Sequence, residues 1–176
     1  MSDTPPRIYG LTGGAGSGKS EAAKRFIELG IPVIEADKVG HELLQPGTAV
    51  AAAIIAEFGD AILTDGRIDR VKLARVAFAN DHARLKLNAV SHPAIIQEIR
   101  NRCQTLAKQG HGTIIVEAAI IAEDEKRASG YDGLILVMAD ETIREDRLVK
   151  LRGMTHEQAR QRIKAQTPPE RKLPLA

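Results

Sequence analysis

The chain is expected to fold as an α/β protein of three layers, α/β/α, with a parallel sheet in the middle. Two observations predict this. Four short apolar runs, Ile8–Thr12, Pro32–Ala36, Thr113–Ala118 and Gly133–Ala139, have the near-continuous hydrophobicity of strands covered on both faces. Segments with helically spaced apolar residues separate them, as crossover helices would. At 176 residues the chain is one domain by length and can bury a sizeable core.

The first run enters the most informative segment. Arg7-Ile-Tyr-Gly-Leu-Thr12 reads as a buried strand, and Gly13-Gly-Ala-Gly-Ser-Gly-Lys-Ser20 fits the template G-x-x-x-x-G-K-[ST]. From Glu21 to Leu29, residues Ala22, Ala23, Phe26 and Leu29 mark one helix face. Strand, glycine turn and helix in this order make a phosphate-binding loop, or P-loop. Gly14, Gly16 and Gly18 allow backbone angles that side chains resist, so successive N–H groups around Ser17 can point at a phosphate. The positive end of the following helix adds to this. Lys19 would reach the β- and γ-phosphates, and the Ser20 hydroxyl would coordinate magnesium. Lys19 is expected to be exposed in the empty loop. The cofactors expected are ATP and Mg2+.

The second run closes on Glu35-Ala-Asp37, where open α/β sheets place their ligands. Residues two apart in an extended chain share a face, so Glu35 and Asp37 would project together. Asp37 is either the base that accepts an acceptor's hydroxyl proton or the cap of a helix starting at Lys38. His41 lies one helical turn beyond it on the same face, as a candidate substrate contact.

Roughly 75 residues then precede the third run, far more than one crossover needs. They hold helical segments at Lys38–Leu44, Ala49–Phe58, Arg70–Phe78, Asp81–Val90 and Pro93–Gln109, with Pro46-Gly47 and Asp65-Gly66 as turns. Asp69 is a candidate cap of the third. His92-Pro93 is expected to break the chain between the last two, with the histidine structural. Such an insert, leaving a strand end beside the phosphate loop, suits a second substrate.

Glu117 ends the third run as a magnesium-side carboxylate acting through water, or as a surface glutamate. After the fourth run, 141–167 is dense in Arg144, Arg147, Lys150, Arg152, Arg160 and Arg162. Thr155 and Gln158 have capping-box spacing, and Arg152-Gly153-Met154 separates two helices. That hairpin is a candidate lid over ATP, delivering arginine to the transferring phosphoryl group. Arg152, at the hinge, is the candidate for this role.

Composition excludes other classes. Net charge is +2 and aromatics number three Phe, two Tyr and no Trp, so no nucleic-acid surface is expected. A single cysteine, Cys103, sits in a helical pattern and reads as packing in a reducing compartment. No apolar run reaches membrane-spanning length, and the N-terminus has no signal-peptide core, so a cytoplasmic protein is expected without a membrane partner.

Taken together the residues resemble the dephospho-coenzyme A kinase family. The likeness runs through Gly10–Ser20, Leu29-Gly-Ile-Pro-Val-Ile-Glu-Ala-Asp37, Glu42–Gly47, Phe58-Gly59, Asp69-Arg70, Val76-Ala-Phe78 and His92-Pro-Ala-Ile95. It closes with Arg147-Leu148, Arg152-Gly153, Arg162-Ile163 and Gln166. The resemblance implies ATP- and magnesium-dependent phosphorylation of the ribose 3′-hydroxyl of dephospho-coenzyme A. Asp37, Lys19 and Arg152 would be catalytic. Gly14, Gly16, Ser17, Gly18, Lys19, Ser20, Glu21 and Arg147 would hold ATP. Asp37, His41, Arg70 and His92 would hold the acceptor, and Ser20 and Glu117 the metal.

By this likeness the chain divides into a core at 7–37 and 112–140, an acceptor-binding insert at 38–111, a lid at 141–167 and a tail at 168–176. Related readings are a nucleoside or nucleotide kinase with another acceptor, and a nucleotide-binding regulator. Where the family usually has Asp, this chain has Glu35; where it has Ser-Thr after the lysine, this chain has Ser20-Glu21. The family's sheet order implies 2-3-1-4 here, with the usual fifth strand missing. The fourth strand is then expected to be an edge that self-associates into a homo-oligomer or is covered by the tail.

Overall fold

Strand β1 (Arg7–Gly13) lies inside the larger sheet, and its last four residues, Gly10–Gly13, are buried. The computed structural model describes residues 5–118, 129–168 and 171–176. Strands β2 (Val33–Glu35), β5 (Thr113–Glu117) and β6 (Gly133–Val137) join β1 in the order β2-β5-β1-β6, all parallel. This is the expected 2-3-1-4 order. In register, Leu11 of β1 stands between Glu117 of β5 and Ile135 of β6.

Ile114, Ile115, Val116 and Glu117 are consecutive and all buried, so β5 is covered on both faces. Helix α1 (Lys19–Glu28) puts Ala22, Ala23 and Phe26 against Leu11 and Ile115, where Tyr9, Val33, Ile135 and Val137 complete the cluster. Full burial of Leu11 alone contributes about 1.5–3 kcal/mol.

The described residues group into two compact units: one from Met1–Glu35 and Cys103–Ala176, the other Ala36–Arg102. The second contains α2 (Ala36–Leu43), α3 (Ala49–Phe58), a hairpin of β3 (Leu63–Thr64) and β4 (Arg67–Ile68), and α4 (Arg70–Ala77). Helix α5 (Asp81–Lys108) starts in the same unit. Ile54, Ile62, Leu73 and Ala77 are its buried centre, ringed by Phe58, Leu63, Ile68, Val76, Leu87 and Val90. Asp69 caps α4 by accepting the N–H groups of Val71 and Lys72, as the sequence predicts, and Thr48 caps α3 by accepting the Ala51 N–H, which was not expected.

Three expectations are corrected here. Asp65-Gly66 is the tip of a two-residue β-hairpin, not merely a turn between helices; both residues have positive φ (49° and 73°), the geometry such tips need. His92-Pro93 does not break the chain, because α5 runs straight through it. Proline's fixed φ is compatible with a helix; what is lost is one hydrogen bond, to the Ala89 carbonyl. Asp37 neither extends β2 nor caps a helix. It is the second residue of α2, so Glu35 and Asp37 share no strand face.

Helices α6 (Glu141–Arg152) and α7 (His156–Lys164) form the hairpin in the arginine-rich segment. Gly153, left-handed at φ 65°, ends α6, and the Thr155–Gln158 capping box starts α7. Leu148, Ala159 and Ile163 form its core, and Ala15 of the phosphate loop packs into it. Strand β6 is half-buried along its length. Beyond it Met138 and Pro168 line a cleft of about 610 Å³ with Arg144, Ile163 and Gln166. Among the described residues no helix is long and apolar enough to cross a membrane.

Candidate nucleotide-binding site

Between β1 and α1 the chain turns through Gly13–Gly18, with Gly16 at φ 74° and Gly18 at φ 101°. L side chains rarely adopt such angles, so the glycines are required for the turn itself. Space is limiting as well. A Cβ on Gly13 would lie 2.6 Å from the Val137 carbonyl oxygen, and one on Gly16 would lie 2.5 Å from that of Arg144.

Two loop N–H groups are already bonded within the protein. Ala15 N–H donates to Gln166 Oε1 at 2.7 Å, and Ser17 N–H donates to the Gly14 carbonyl at 3.1 Å. Among the described residues the N–H groups of Gly16, Gly18, Lys19 and Ser20 have no acceptor. These four donors gather at the start of α1, where the helix dipole favours an anion. Unpaired donors concentrated at one point make an anion site from backbone alone.

Lys19 is not exposed as expected. Its ammonium is ion-paired with the Glu117 carboxylate, and both side chains are largely buried, 17% and 10% exposed. Leu11–Glu117 pairing across β1 and β5 brings the carboxylate to the loop. Glu117 is therefore no surface glutamate: an ionised carboxylate this buried needs a partner, and Lys19 supplies it. Ser20 and Glu21 stand exposed in the first turn of α1, Glu21 beside Lys24 at 3.4 Å. Ser17 turns its hydroxyl inward, buried and without a partner among the described residues.

Arg147 lies against the loop. Its Nη1 donates to the carbonyl oxygens of Gly16 (3.2 Å) and Ser17 (2.9 Å). Arg144, one turn earlier and buried, donates from Nε to the Ala15 carbonyl at 2.9 Å. Sequence reading missed Arg144 and Gln166 as site residues. The available signal was the i, i+3 spacing of Arg144 and Arg147, which places both on one face of α6. Arg152 is exposed at the last position of α6.

The remaining candidates belong to the helical unit. Asp37 is exposed and His41 half-buried, one turn apart on α2; Arg70 is exposed at the start of α4; His92 lies half-buried within α5. In the same unit Arg102 pairs with Glu42 and Glu98, and the hydrogen bond from Arg102 holds the Glu42 carboxyl below its usual range. Burial pushes the Cys103 thiol up, so it packs rather than reacts. No group of three or more His, Cys, Asp or Glu among the described residues could hold a metal by itself.

Residues 7–176 match the family model for dephospho-CoA kinase. The dephospho-CoA kinase of Geobacillus kaustophilus is 39% identical over 168 residues, covering 95% of this chain and 83% of that protein. The crystal structure of TT1252 from Thermus thermophilus superposes with a TM-score of 0.85 at 27% identity, covering 97% of this chain and 85% of that one. A dephospho-CoA kinase from Campylobacter jejuni shares the fold, with a TM-score of 0.61 at 24% identity and coverage of 98% and 86%. The chain belongs to the dephospho-CoA kinase family, and is a P-loop phosphotransferase. Neither a regulator nor a kinase for another acceptor is favoured by these likenesses.

Proposed function

We propose that this member of the dephospho-CoA kinase family transfers the γ-phosphoryl group of ATP to the ribose 3′-hydroxyl of dephospho-coenzyme A. The observation that carries the reading is the cluster of N–H groups at Gly16, Gly18, Lys19 and Ser20 that have no acceptor among the described residues, together with the Lys19 ammonium. Together they offer a triphosphate what it needs: oriented donors and a cation. When phosphate arrives, Lys19 exchanges the Glu117 carboxylate for the β- and γ-phosphate oxygens.

The Ser20 hydroxyl and Glu117 carboxylate are hard oxygen ligands of the kind magnesium takes, one or two per site alongside phosphate. Ser20 would hold the ion directly and Glu117 through water. Bound magnesium neutralises charge on the β- and γ-phosphates. Gly14 and Ser17 shape the loop, and Glu21 and Arg147 complete the ATP set.

We assign the acceptor to the helical unit, with His41, Arg70 and His92 as its contacts. The Asp37 carboxylate takes the proton of the acceptor hydroxyl while that oxygen bonds to the γ-phosphorus. The bond from the γ-phosphorus to the β–γ bridging oxygen breaks, and ADP leaves. Arg152, at the end of α6 in the lid, steadies the negative charge on the phosphoryl oxygens. A buried, unpaired Cys103 suits the reducing cytoplasm, where we place the protein.

The test is a coupled assay of ADP release across a panel of acceptor alcohols. Release that depends on dephospho-coenzyme A is expected. Equal or faster release with a nucleoside would sink the acceptor assignment.

A further inference from the structure

The phosphate loop is held from outside by side chains far along the chain, and the pattern of holding has a directional consequence. In a planar trans peptide the C=O of one residue and the N–H of the next point in opposite directions. Anchoring the carbonyl therefore aims the amide. Arg144 anchors the Ala15 carbonyl, which belongs to the same peptide as the Gly16 N–H. Arg147 anchors the Ser17 carbonyl, whose peptide carries the Gly18 N–H. The N–H groups of Gly16 and Gly18 both lack an acceptor among the described residues. Gln166 takes the Ala15 N–H at 2.7 Å, and the carbonyl of that same peptide, from Gly14, accepts the Ser17 N–H. Every peptide from Gly14 to Gly18 is thus fixed by at least one bond, and the donors left over are aimed away from the arginines.

We propose that Arg144 and Gln166 are positioning residues for phosphate binding, a clasp that sets the direction of the loop amides before ATP arrives. This rests on the nucleotide-binding reading above and extends it to residues with no expected contact to the transferred group. Arg144 is suited to the task because the residue is buried, at 6% exposure, and its Nη2 also reaches Gln166 Oε1 at 3.4 Å. One side chain thereby couples both halves of the clasp. The steric complement is Gly14, where an added Cβ would lie 2.5 Å from Arg144 Nη2 and 3.1 Å from Gln166 Oε1. Preorganised donors do not have to be ordered by the ligand, so binding is tighter than to a slack loop.

The test is titration of the full chain with inorganic tripolyphosphate and, separately, with magnesium ATP, at temperatures well below each variant's Tm. Gln166→Leu and Arg144→Met are compared with wild type; should Arg144→Met fail to fold, Gln166→Leu decides. The expected result is a rise of about tenfold or more in Kd for both ligands, since each reads the loop amides. Tripolyphosphate affinity within twofold of wild type, with only Tm lowered, would make the clasp a structural strut and overturn the proposal. Weaker ATP binding with unchanged tripolyphosphate binding would also overturn it, by moving both residues to the nucleoside side. Neither arm contains an acceptor. Failure of the kinase reading would show instead as wild-type protein that releases no ADP with dephospho-coenzyme A.

Discussion

The phosphate loop and the helical unit are stabilised in opposite ways. Around the loop the contacts are polar and distant in sequence: Arg144, Arg147 and Gln166 reach Ala15–Ser17 across 129 to 151 positions. In Ala36–Arg102 the centre is apolar, Ile54, Ile62, Leu73 and Ala77, and its polar bonds are largely local. Asp69 bonds to Thr64 and to the two N–H groups just ahead, and Lys72 reaches back to the Leu63 carbonyl. The difference teaches that a ligand site demands direction, which charged hydrogen bonds supply and hydrophobic burial does not.

The largest effect that tests this contrast is expected from Lys19→Ala. Turnover should fall by about a thousandfold or more, because cationic stabilisation of the transferring phosphoryl group is lost. The same change orphans a buried carboxylate, so stability should also fall, by about 1–3 kcal/mol. Adding Glu117→Ala should restore the stability and leave the activity absent. Denaturant unfolding of the double variant checks this; if it is no more stable than Lys19→Ala, the ion pair is not what holds Glu117.

Ile54→Ala should cost about 2–5 kcal/mol, the usual cavity penalty at a fully buried site. Urea unfolding measures it, and a loss under 1 kcal/mol, about the cost of a mildly buried site, would show the centre of the helical unit to be loosely packed.

Asp37→Asn is the polar exception inside the apolar unit. It should lower turnover by about a hundredfold with ATP affinity retained, as removal of a general base does. Steady-state kinetics and ATP titration separate the terms. Normal turnover would leave Asp37 only its favourable charge at the start of α2.

The smallest effect is expected at Asp69→Ala, read as a drop in Tm below that of Ile54→Ala. The Lys72 N–H, then the Thr64 hydroxyl, hold the Asp69 carboxyl below its ordinary value in the folded state. A lowered folded pKa contributes stability that is present above the unfolded value and lost as pH falls through the folded one. Wild type and variant should therefore differ in Tm at neutral pH and converge in acid. A gap that persists at pH 2 would show that the cap does not act through its charge.

Much of this was legible in sequence because it depends on neighbours. The loop, the four strands, the Asp69 cap and the Thr155–Gln158 box all follow from residues a few positions apart, whereas the strand order was implied only by the family likeness. Local rules failed where two of them competed. Pro93 reads as a breaker, but the surrounding helical pattern prevailed, since a proline removes one hydrogen bond and leaves the rest of α5 intact. At Asp37 the short β2 gave way one residue early to α2.

What sequence alone determined is the phosphate loop and its family: Gly13–Ser20 carries the glycines, the lysine and the hydroxyl within eight consecutive positions, so its chemistry needs no folding partner to be recognised. Tertiary structure decided how that loop is used. Only the parallel pairing of β1 with β5 brings Glu117 to Lys19, and only the packing of α6 and α7 on Ala15 turns Arg144, Arg147 and Gln166 toward the loop backbone. The physical reason is that Glu117 meets Lys19 only across paired strands, and that Arg144, Arg147 and Gln166 recognise backbone carbonyls and amides, which no sequence pattern distinguishes. Their targets exist as targets only once the chain has folded.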